Sequence, residues 1–347
     1  MRDQPLPRAL IILVGIASAV VALFGLREVS SIVGPVVLAL VLVIAVAPVR
    51  GWLAERRAPA WLQVAVPFLI VVLVLLSMVG ILTISIMQLT YLLPNYTHQF
   101  QQLLADAQKQ AASFGLSNHV LDRALQAFDP AALLGVAQTL LGSLLGILTG
   151  LFLIVVLLLA MCLDAPITAK ILTAGMRNRG QLVTALATFA HKTRRYLIVS
   201  TVFGLLNAVL DVIALSILQV PLPLLWGVLA LITNYIPNVG FVIGLVPPAM
   251  LALLDGGVKT MVLVIVSYIV INVVTQSFIL PKFLGDAVGL STTMTFMSLL
   301  LWTFVLGPLG AILAIPLSLL ARALLIDSDP SARWAAALVS GKEPQDE

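Results

Sequence analysis

Polar residues spaced along hydrophobic segments are the part of this sequence that could support binding chemistry. The most regular series comprises Ser200, Gly204, Asn207 and Asp211. These residues are spaced i, i+4, i+7 and i+11, which places them on one narrow face of a helix. An acid inside a membrane segment is costly, normally faces other helices, and is a functional candidate by default. Asp211 is therefore a candidate to bind a cation or a proton. The alternative is a structural hydrogen bond to a neighbouring helix.

Two further stretches carry polar residues on one helical face. The first comprises Tyr268, Asn272, Thr275 and Gln276, and the second comprises Ser291, Thr295, Ser298 and Trp302. Stripes of serine and threonine more often join helices than contact a ligand. Three stripes in one half of the chain nevertheless favour a shared polar cavity.

Residues 222–254 form an uncharged run that contains no histidine but is unsuited to a plain helix in lipid. The run carries two asparagines, Asn234 and Asn238, and the helix breakers Pro237, Gly240, Gly244, Pro247 and Pro248. Freed backbone groups are costly in hydrocarbon unless protein or water satisfies them, so broken helices of this kind commonly line transport sites. A proline-kinked spanning helix without a site is the alternative, since proline and glycine are frequent in membrane helices. The transport-path candidates are Asn207, Asp211, Asn234, Pro237, Asn238, Gly240, Asn272, Thr275, Gln276 and Ser298.

No catalytic or cofactor-binding set is visible in the sequence. The three histidines, His98, His119 and His191, are isolated and outside any HExxH pattern. The single cysteine, Cys162, can form neither an internal disulfide nor a cysteine metal cluster. No GxxxxGK[ST] phosphate loop occurs. We therefore expect no enzyme activity, no cofactor and no metal centre.

The composition predicts an all-α, polytopic integral membrane protein. Hydrophobic residues make up 61% of the 347 residues, charged residues only 10%, and the mean hydropathy is +1.12. A soluble protein cannot hide so much apolar surface. The basic residues cluster in a few connections, which suits membrane orientation better than nucleic-acid binding. The first apolar run lacks a convincing cleavage site and is interpreted as a retained first span rather than a signal peptide.

The hydrophobic pattern predicts about eight membrane segments, the last and the third from last being broken or re-entrant. They are residues 9–26, 31–48, 62–88, 138–163, 196–218, 222–254, 258–280 and 290–321. The predicted regions are 1–89 with three spans, 90–137 with an extracytoplasmic amphipathic section, 138–325 as a transport core, and 326–347 as a polar tail. The section 90–132 is too short for a core of its own and is expected on the membrane surface or against neighbouring subunits.

The distribution of lysine and arginine predicts the orientation. With eight crossings, fifteen basic residues fall on the side of both termini and four on the other. The basic connection 164–195 alone carries six of the fifteen. Since basic connections stay inside, both termini are predicted to be cytoplasmic. The count does not change if both broken segments are re-entrant, so it does not decide between spanning and re-entrant segments.

The two broken segments resemble each other. GFVIGLVPPAMLALL (240–254) and GAILAIPLSLLARALL (310–325) each have a glycine, an apolar stretch, a proline six or seven residues later, and a Leu/Ala helix. Such a pair is expected where two related elements meet at a central site.

Four stretches resemble the AI-2E family, whose members are polytopic bacterial proteins named for export of the signal autoinducer-2. They are HKTRRYLIVST (191–201), NYIPNVG (234–240), QSFILPKFLGDAVGLS (276–291) and GPLGAILAIPL (307–317). The resemblance implies eight membrane segments and a homo-oligomer, in particular a pentamer. It implies either export of the signal or sodium or lithium/proton antiport, and it brings no catalytic residues.

Three functions therefore remain open at this stage. The protein could export a small polar solute such as autoinducer-2, exchange a cation for protons through Asp211, or serve as a membrane scaffold that does not transport. The expected partners are the lipid bilayer of the bacterial inner membrane, a small polar solute or cation, and further copies of the chain, with no nucleic acid.

Overall fold

The computed structural model describes residues 8–92, 130–237, 239–275 and 290–329, together with residues 96, 99, 102, 105, 332, 336, 339 and 340. These described residues are predominantly helical and contain no strand, which confirms the all-α membrane class. The helices are α1 Arg8–Glu28, α2 Ser30–Glu55, α3 Ala60–Leu92, α4 Pro130–Ile217, α5 Pro223–Thr233, α6 Gly240–Val273, α7 Thr292–Leu306, α8 Pro308–Ile312 and α9 Ala314–Arg322, followed by a π-helical turn Ala323–Asp327.

The chain divides into two compact units. The first unit is Met1–Pro67, Ile154–Tyr196 and Asp286–Glu347, and the second is Phe68–Leu153 and Leu197–Gly285. Each unit contains one of the two broken segments that the sequence singles out. The second unit contains most of the transport-path candidates.

Aromatic and glycine contacts join α1 and α2 to the broken segment of the first unit. The rings of Phe24 and Phe304 meet edge to face at 5.7 Å, and the Arg27 guanidinium lies 4.4 Å from the centre of the Phe304 ring. A β-carbon at Gly34 would lie 3.2 Å from Leu309 Cδ1, so the glycine allows α2 to approach α8. Both contacts join the N-terminal helices to the helices that follow residue 290.

The basic connection 164–195 is helical rather than a loop. Helix α4 is interrupted at Arg179, whose backbone lies at φ −140° and ψ 49°. A β-carbon at Gly175 would lie 3.3 Å from Val183 Cγ2. Residues eight apart in a straight helix would be separated by about 12 Å, so the chain folds back at Arg179 as a helical hairpin. Its cytoplasmic location stays a prediction.

The core of the second unit shows that residues 223–254 form a hairpin. One buried cluster contains both Leu225 and Trp226, at the start of α5, and Leu251 and Ala252, near the end of the returning arm. The end of the returning arm therefore lies beside the start of α5. Helix α5 has 11 residues, or roughly 16 Å, whereas a bilayer core is about 30 Å thick. The structure therefore folds this segment as a hairpin, and its re-entry into the bilayer stays a prediction.

The predicted break before Gly240 is confirmed, and three other predicted breakers do not break the helix. Helix α5 ends at Thr233 and α6 begins at Gly240. Helix α6 then runs through Gly244, Pro247 and Pro248. Proline has a backbone φ close to the helical value and removes only one hydrogen bond, so a packed helix can continue through it.

The broken segment of the first unit is also a hairpin. Helix α7 ends at Leu306, Gly307 follows at φ 64°, and α8 and α9 return alongside α7. Trp302 Nε1 donates a 2.9 Å hydrogen bond to Ser318 Oγ across the two arms. A β-carbon at Gly310 would lie 1.8 Å from the Trp302 carbonyl oxygen. Gly310 is the counterpart of Gly240 in the sequence comparison above.

Candidate functional site

Two glycines let α5 pack closely against residues 197–217 of α4. A β-carbon at Gly227 would lie 2.4 Å from Val212 Cγ2, and one at Gly204 would lie 3.0 Å from both Leu231 Cδ1 and Asn234 Nδ2. Gly227 lies near residue 212 whereas Gly204 lies near residues 231 and 234, so the two helices are antiparallel. The tip of the hairpin is therefore beside the start of the 197–217 stretch.

Two hydrogen bonds fasten this tip. Asn234 Nδ2 donates to the Ser200 carbonyl oxygen at 2.9 Å, and the hydroxyls of Tyr235 and Thr201 are 2.6 Å apart. Thr201 donates its single proton to the Leu197 carbonyl, so Tyr235 is the donor in the second bond. The tip is thus held by one side-chain to backbone bond and one bond between side chains.

The turn at the tip depends on a glycine. A β-carbon at Gly240 would lie 1.8 Å from the Thr233 carbonyl oxygen, so no other residue fits without movement of the backbone. The Pro237 carbonyl accepts from the Val239 amide at 2.7 Å inside this turn. Asn238 lies outside the described residues. The predicted breakers Pro237 and Gly240 therefore shape the turn, and no solute contact is needed to explain them.

A second polar group lies further along α4. Asp211 and Tyr268 are 4% and 3% exposed, and Asn207 precedes Asp211 by one turn. Among the described residues, Asn207 Oδ1, Asp211 Oδ1 and the Tyr268 hydroxyl are buried without a hydrogen-bond partner. Tyr268 belongs to the same buried cluster as Leu215, which follows Asp211 by one turn on α4. We call Asn207, Asp211 and Tyr268 the polar triad.

An unpaired buried polar group costs about 1–3 kcal/mol, so the three unpaired oxygens of the triad destabilise the folded protein. Most buried polar atoms in proteins have a partner, and each exception calls for an explanation. A ligand that supplies the missing bonds is one explanation. The described residues hold no group of three or more histidine, cysteine or acidic side chains suited to a metal ion.

The remaining candidates divide between the two units. Thr275 is buried, but its hydroxyl bonds to the Ile271 and Asn272 carbonyls of the preceding turn. Asn272 is half-buried one turn after Tyr268. Gln276 lies outside the described residues. Ser298 is buried on α7 in the first unit.

The candidates on α4 and α5 do not form one set. Asn234 contacts Ser200, whereas Asp211 lies eleven residues further on, or roughly 16 Å along the helix. The stripe on α4 therefore has two different partners, the hairpin tip and Tyr268. Tyr268 and Tyr235 are not among the candidates from the sequence. Tyr268 could have been included, because it lies on a polar stripe one turn before the candidate Asn272.

Helical hairpins that are interrupted at glycine and proline, together with unpaired polar groups in an apolar core, are typical of membrane transporters. The model of the AI-2E family transporter matches residues 10–328, and the chain belongs to this family.

Relatives extend over nearly the whole chain. A putative transport protein of Haemophilus influenzae is 28% identical over 331 residues, covering 94% of this chain and 95% of its own. The AI-2 transport protein TqsA of Escherichia coli K12 is 28% identical over 314 residues, covering 90% and 91%. The putative transport protein YhhT of the same strain is 26% identical over 339 residues, covering 98% and 97%. The protein is thus a membrane transporter.

Proposed function

We propose that the protein exports a small polar solute such as autoinducer-2 and binds it at the polar triad. The observation that carries this proposal is the set of three buried oxygens without partners on two helices of one unit. The name of TqsA, an AI-2 transport protein, supports the choice of solute.

The chemistry of the triad suits a solute with several hydroxyl groups. Asn207 Oδ1 and Asp211 Oδ1 accept hydrogen bonds, and the Tyr268 hydroxyl can donate or accept. Leu215 and Val264, both fully buried, belong to the same hydrophobic cluster as Tyr268. A solute that matches the three oxygens would regain the bonds lost on desolvation, whereas an apolar analogue would leave them unpaired. Such a site discriminates strongly between the two.

The hairpin tip is the proposed barrier on the cytoplasmic side of the triad. The tip bonds of Asn234 and Tyr235 lie at the start of the 197–217 stretch, which the charge distribution predicts to be near the cytoplasm. Access to the triad from that side would require these two bonds to break. Two neutral hydrogen bonds are weak enough to open repeatedly, since each contributes about 1 kcal/mol net.

Transport by purified protein in vesicles tests the solute. We expect Asn207→Leu and Tyr268→Phe each to raise the KM for autoinducer-2 about ten-fold, from the loss of one hydrogen bond. The matched control is Ser216→Ala, because Ser216 is exposed on the same helix and bonds only to its own Val212 carbonyl in the described structure. Unchanged KM values in both triad variants would place the binding site elsewhere.

Cation/proton antiport is the second candidate, and the burial of Asp211 favours it. An ionised carboxylate is costly in an apolar interior, so a proton or a cation must neutralise it. Asp211→Asn keeps the size and hydrogen bonding but removes the charge. For antiport, this variant should abolish dependence on a sodium or pH gradient. For plain export, it should change the flux only modestly, so the two functions separate.

We further propose that the protein is a homo-oligomer in the bacterial inner membrane, with both termini cytoplasmic. With two re-entrant hairpins, six helices would cross the membrane instead of eight. Lys259 and Lys282 then exchange sides, and the ratio of fifteen to four basic residues is unchanged. This ratio supports the orientation.

A further inference from the structure

A backbone kink, which we call the Gly257 hinge, interrupts α6. This residue has φ 75° and ψ −172°, a conformation that is essentially restricted to glycine. A β-carbon there would meet nothing within 4 Å, so the glycine is needed for its backbone conformation and not for packing space. The hinge separates the returning arm of the hairpin from the stretch that carries Tyr268.

Tyr96, which is distant from this hinge in sequence, forms a hydrogen bond beside it. Tyr96 follows the end of α3 by four residues, and its hydroxyl donates a 2.7 Å hydrogen bond to Asp255 Oδ1. Asp255 is exposed and lies two residues before Gly257. Burial, and secondarily the Asp255 carboxylate, raise the pKa of Tyr96, so its hydroxyl stays protonated as a donor. Bonds to a charged acceptor are among the stronger ones in proteins.

The ring of Tyr96 is part of the core that spans the hinge. Tyr96 is 8% exposed and belongs to the same buried cluster as Ala252, Val264 and Tyr268. Ala252 precedes the hinge, whereas Val264 and Tyr268 follow it. A rotation at Gly257 would therefore disturb the packing of Tyr96 as well as its hydrogen bond.

We propose that the Tyr96–Asp255 hydrogen bond is a latch that restrains the Gly257 hinge and thereby controls the position of Tyr268 relative to Asp211. The restraint on the hinge is inferred from the Tyr96–Asp255 hydrogen bond and the packing of the Tyr96 ring. Its effect on transport rests on the proposed role of the triad. Release of the latch lets the stretch 258–273 change its angle while the hairpin stays in place.

Amide hydrogen exchange of the full-length protein in lipid nanodiscs tests the latch. Tyr96→Phe removes only the hydroxyl and keeps the ring in the core. We expect peptides covering 254–262 to exchange about ten-fold faster in this variant, from the loss of a bond to a charged acceptor. Asp255→Asn retains an oxygen acceptor and should give a smaller increase. The matched control is Tyr91→Phe, because Tyr91 lies at the same end of α3 and is 79% exposed.

The outcomes distinguish the latch from the proposed function. Exchange at 254–262 that is equal in Tyr96→Phe, Tyr91→Phe and the unchanged protein would overturn the latch. Faster exchange with an altered transport rate supports the whole proposal. Faster exchange with an unaltered rate overturns the coupling to Tyr268. If the unchanged protein does not transport autoinducer-2, the proposed solute is wrong, and the exchange result still decides whether the hinge is latched.

Discussion

Arg194 donates a 3.1 Å hydrogen bond from its Nε to the carbonyl oxygen of Ile44 in α2. In a regular helix this carbonyl would accept from the amide of residue 48, but residue 48 is a proline. The arginine therefore supplies the donor that Pro48 lacks. A basic residue counted for orientation in the sequence thus has a structural role in the first unit.

We predict that Arg194→Ala lowers the free energy of unfolding by about 1–3 kcal/mol, because the Ile44 carbonyl loses its donor. Pro48→Ala restores a backbone amide and should recover part of this loss in the double variant. Thermal unfolding in detergent measures both effects. Arg195→Ala, at an exposed neighbouring position, serves as the control. Additive losses in the double variant would contradict the pairing.

The two hairpin glycines should be equally intolerant of a side chain. A β-carbon at Gly240 or at Gly310 would lie 1.8 Å from a backbone carbonyl oxygen. We expect Gly240→Ala and Gly310→Ala each to cost about 1–3 kcal/mol or more, because the backbone must move. Gly80→Ala has nothing within 4 Å and should be tolerated. Size-exclusion profiles and thermal unfolding are the measurements, and a fully stable Gly240→Ala protein would refute the close contact.

Two asparagine substitutions should separate binding from stability. Asn234 bonds to Ser200, so Asn234→Leu should lower stability by about 1 kcal/mol and also weaken transport by loosening the tip. Asn207 Oδ1 has no partner among the described residues, so Asn207→Leu should leave stability equal or higher while transport falls. Paired melting and flux measurements test this. A large loss of stability in Asn207→Leu would show that its amide has a structural role.

Cysteine labelling in a Cys162→Ser background tests the orientation and the hairpins together. We expect Lys109→Cys and Arg177→Cys to react from opposite faces of the membrane. Lys109 is outside the described residues, so its side follows from charge alone. A re-entrant 223–254 hairpin places Lys259→Cys on the side of Lys109, whereas a spanning segment would place it with Arg177. Labelling of Lys259→Cys together with Arg177→Cys would contradict the re-entrant topology.

The membrane class, the break before Gly240 and the unusual acid Asp211 could all be predicted from the sequence. The membrane class follows from composition alone, because no folded soluble protein can bury so much apolar surface. The break before Gly240 is local, since proline and glycine act through their own backbone. The polar face of α4 follows from helical periodicity, and the structure indeed buries Ser200 and Asp211 on that face.

Which residues contact each other could not be predicted from the sequence. Charge counting gives the same ratio for spanning and re-entrant segments, so only the shared burial of Trp226 and Ala252 shows the hairpin. Likewise, periodicity places Ser200 and Asp211 on one face but contains no information about their partners. Asn234 and Tyr268 reach that face from other helices, and contacts between residues distant in the chain depend on packing. The polar stripe on α4 lies on one face, as its spacing predicts, but in the structure its residues are divided between the hairpin tip and the polar triad.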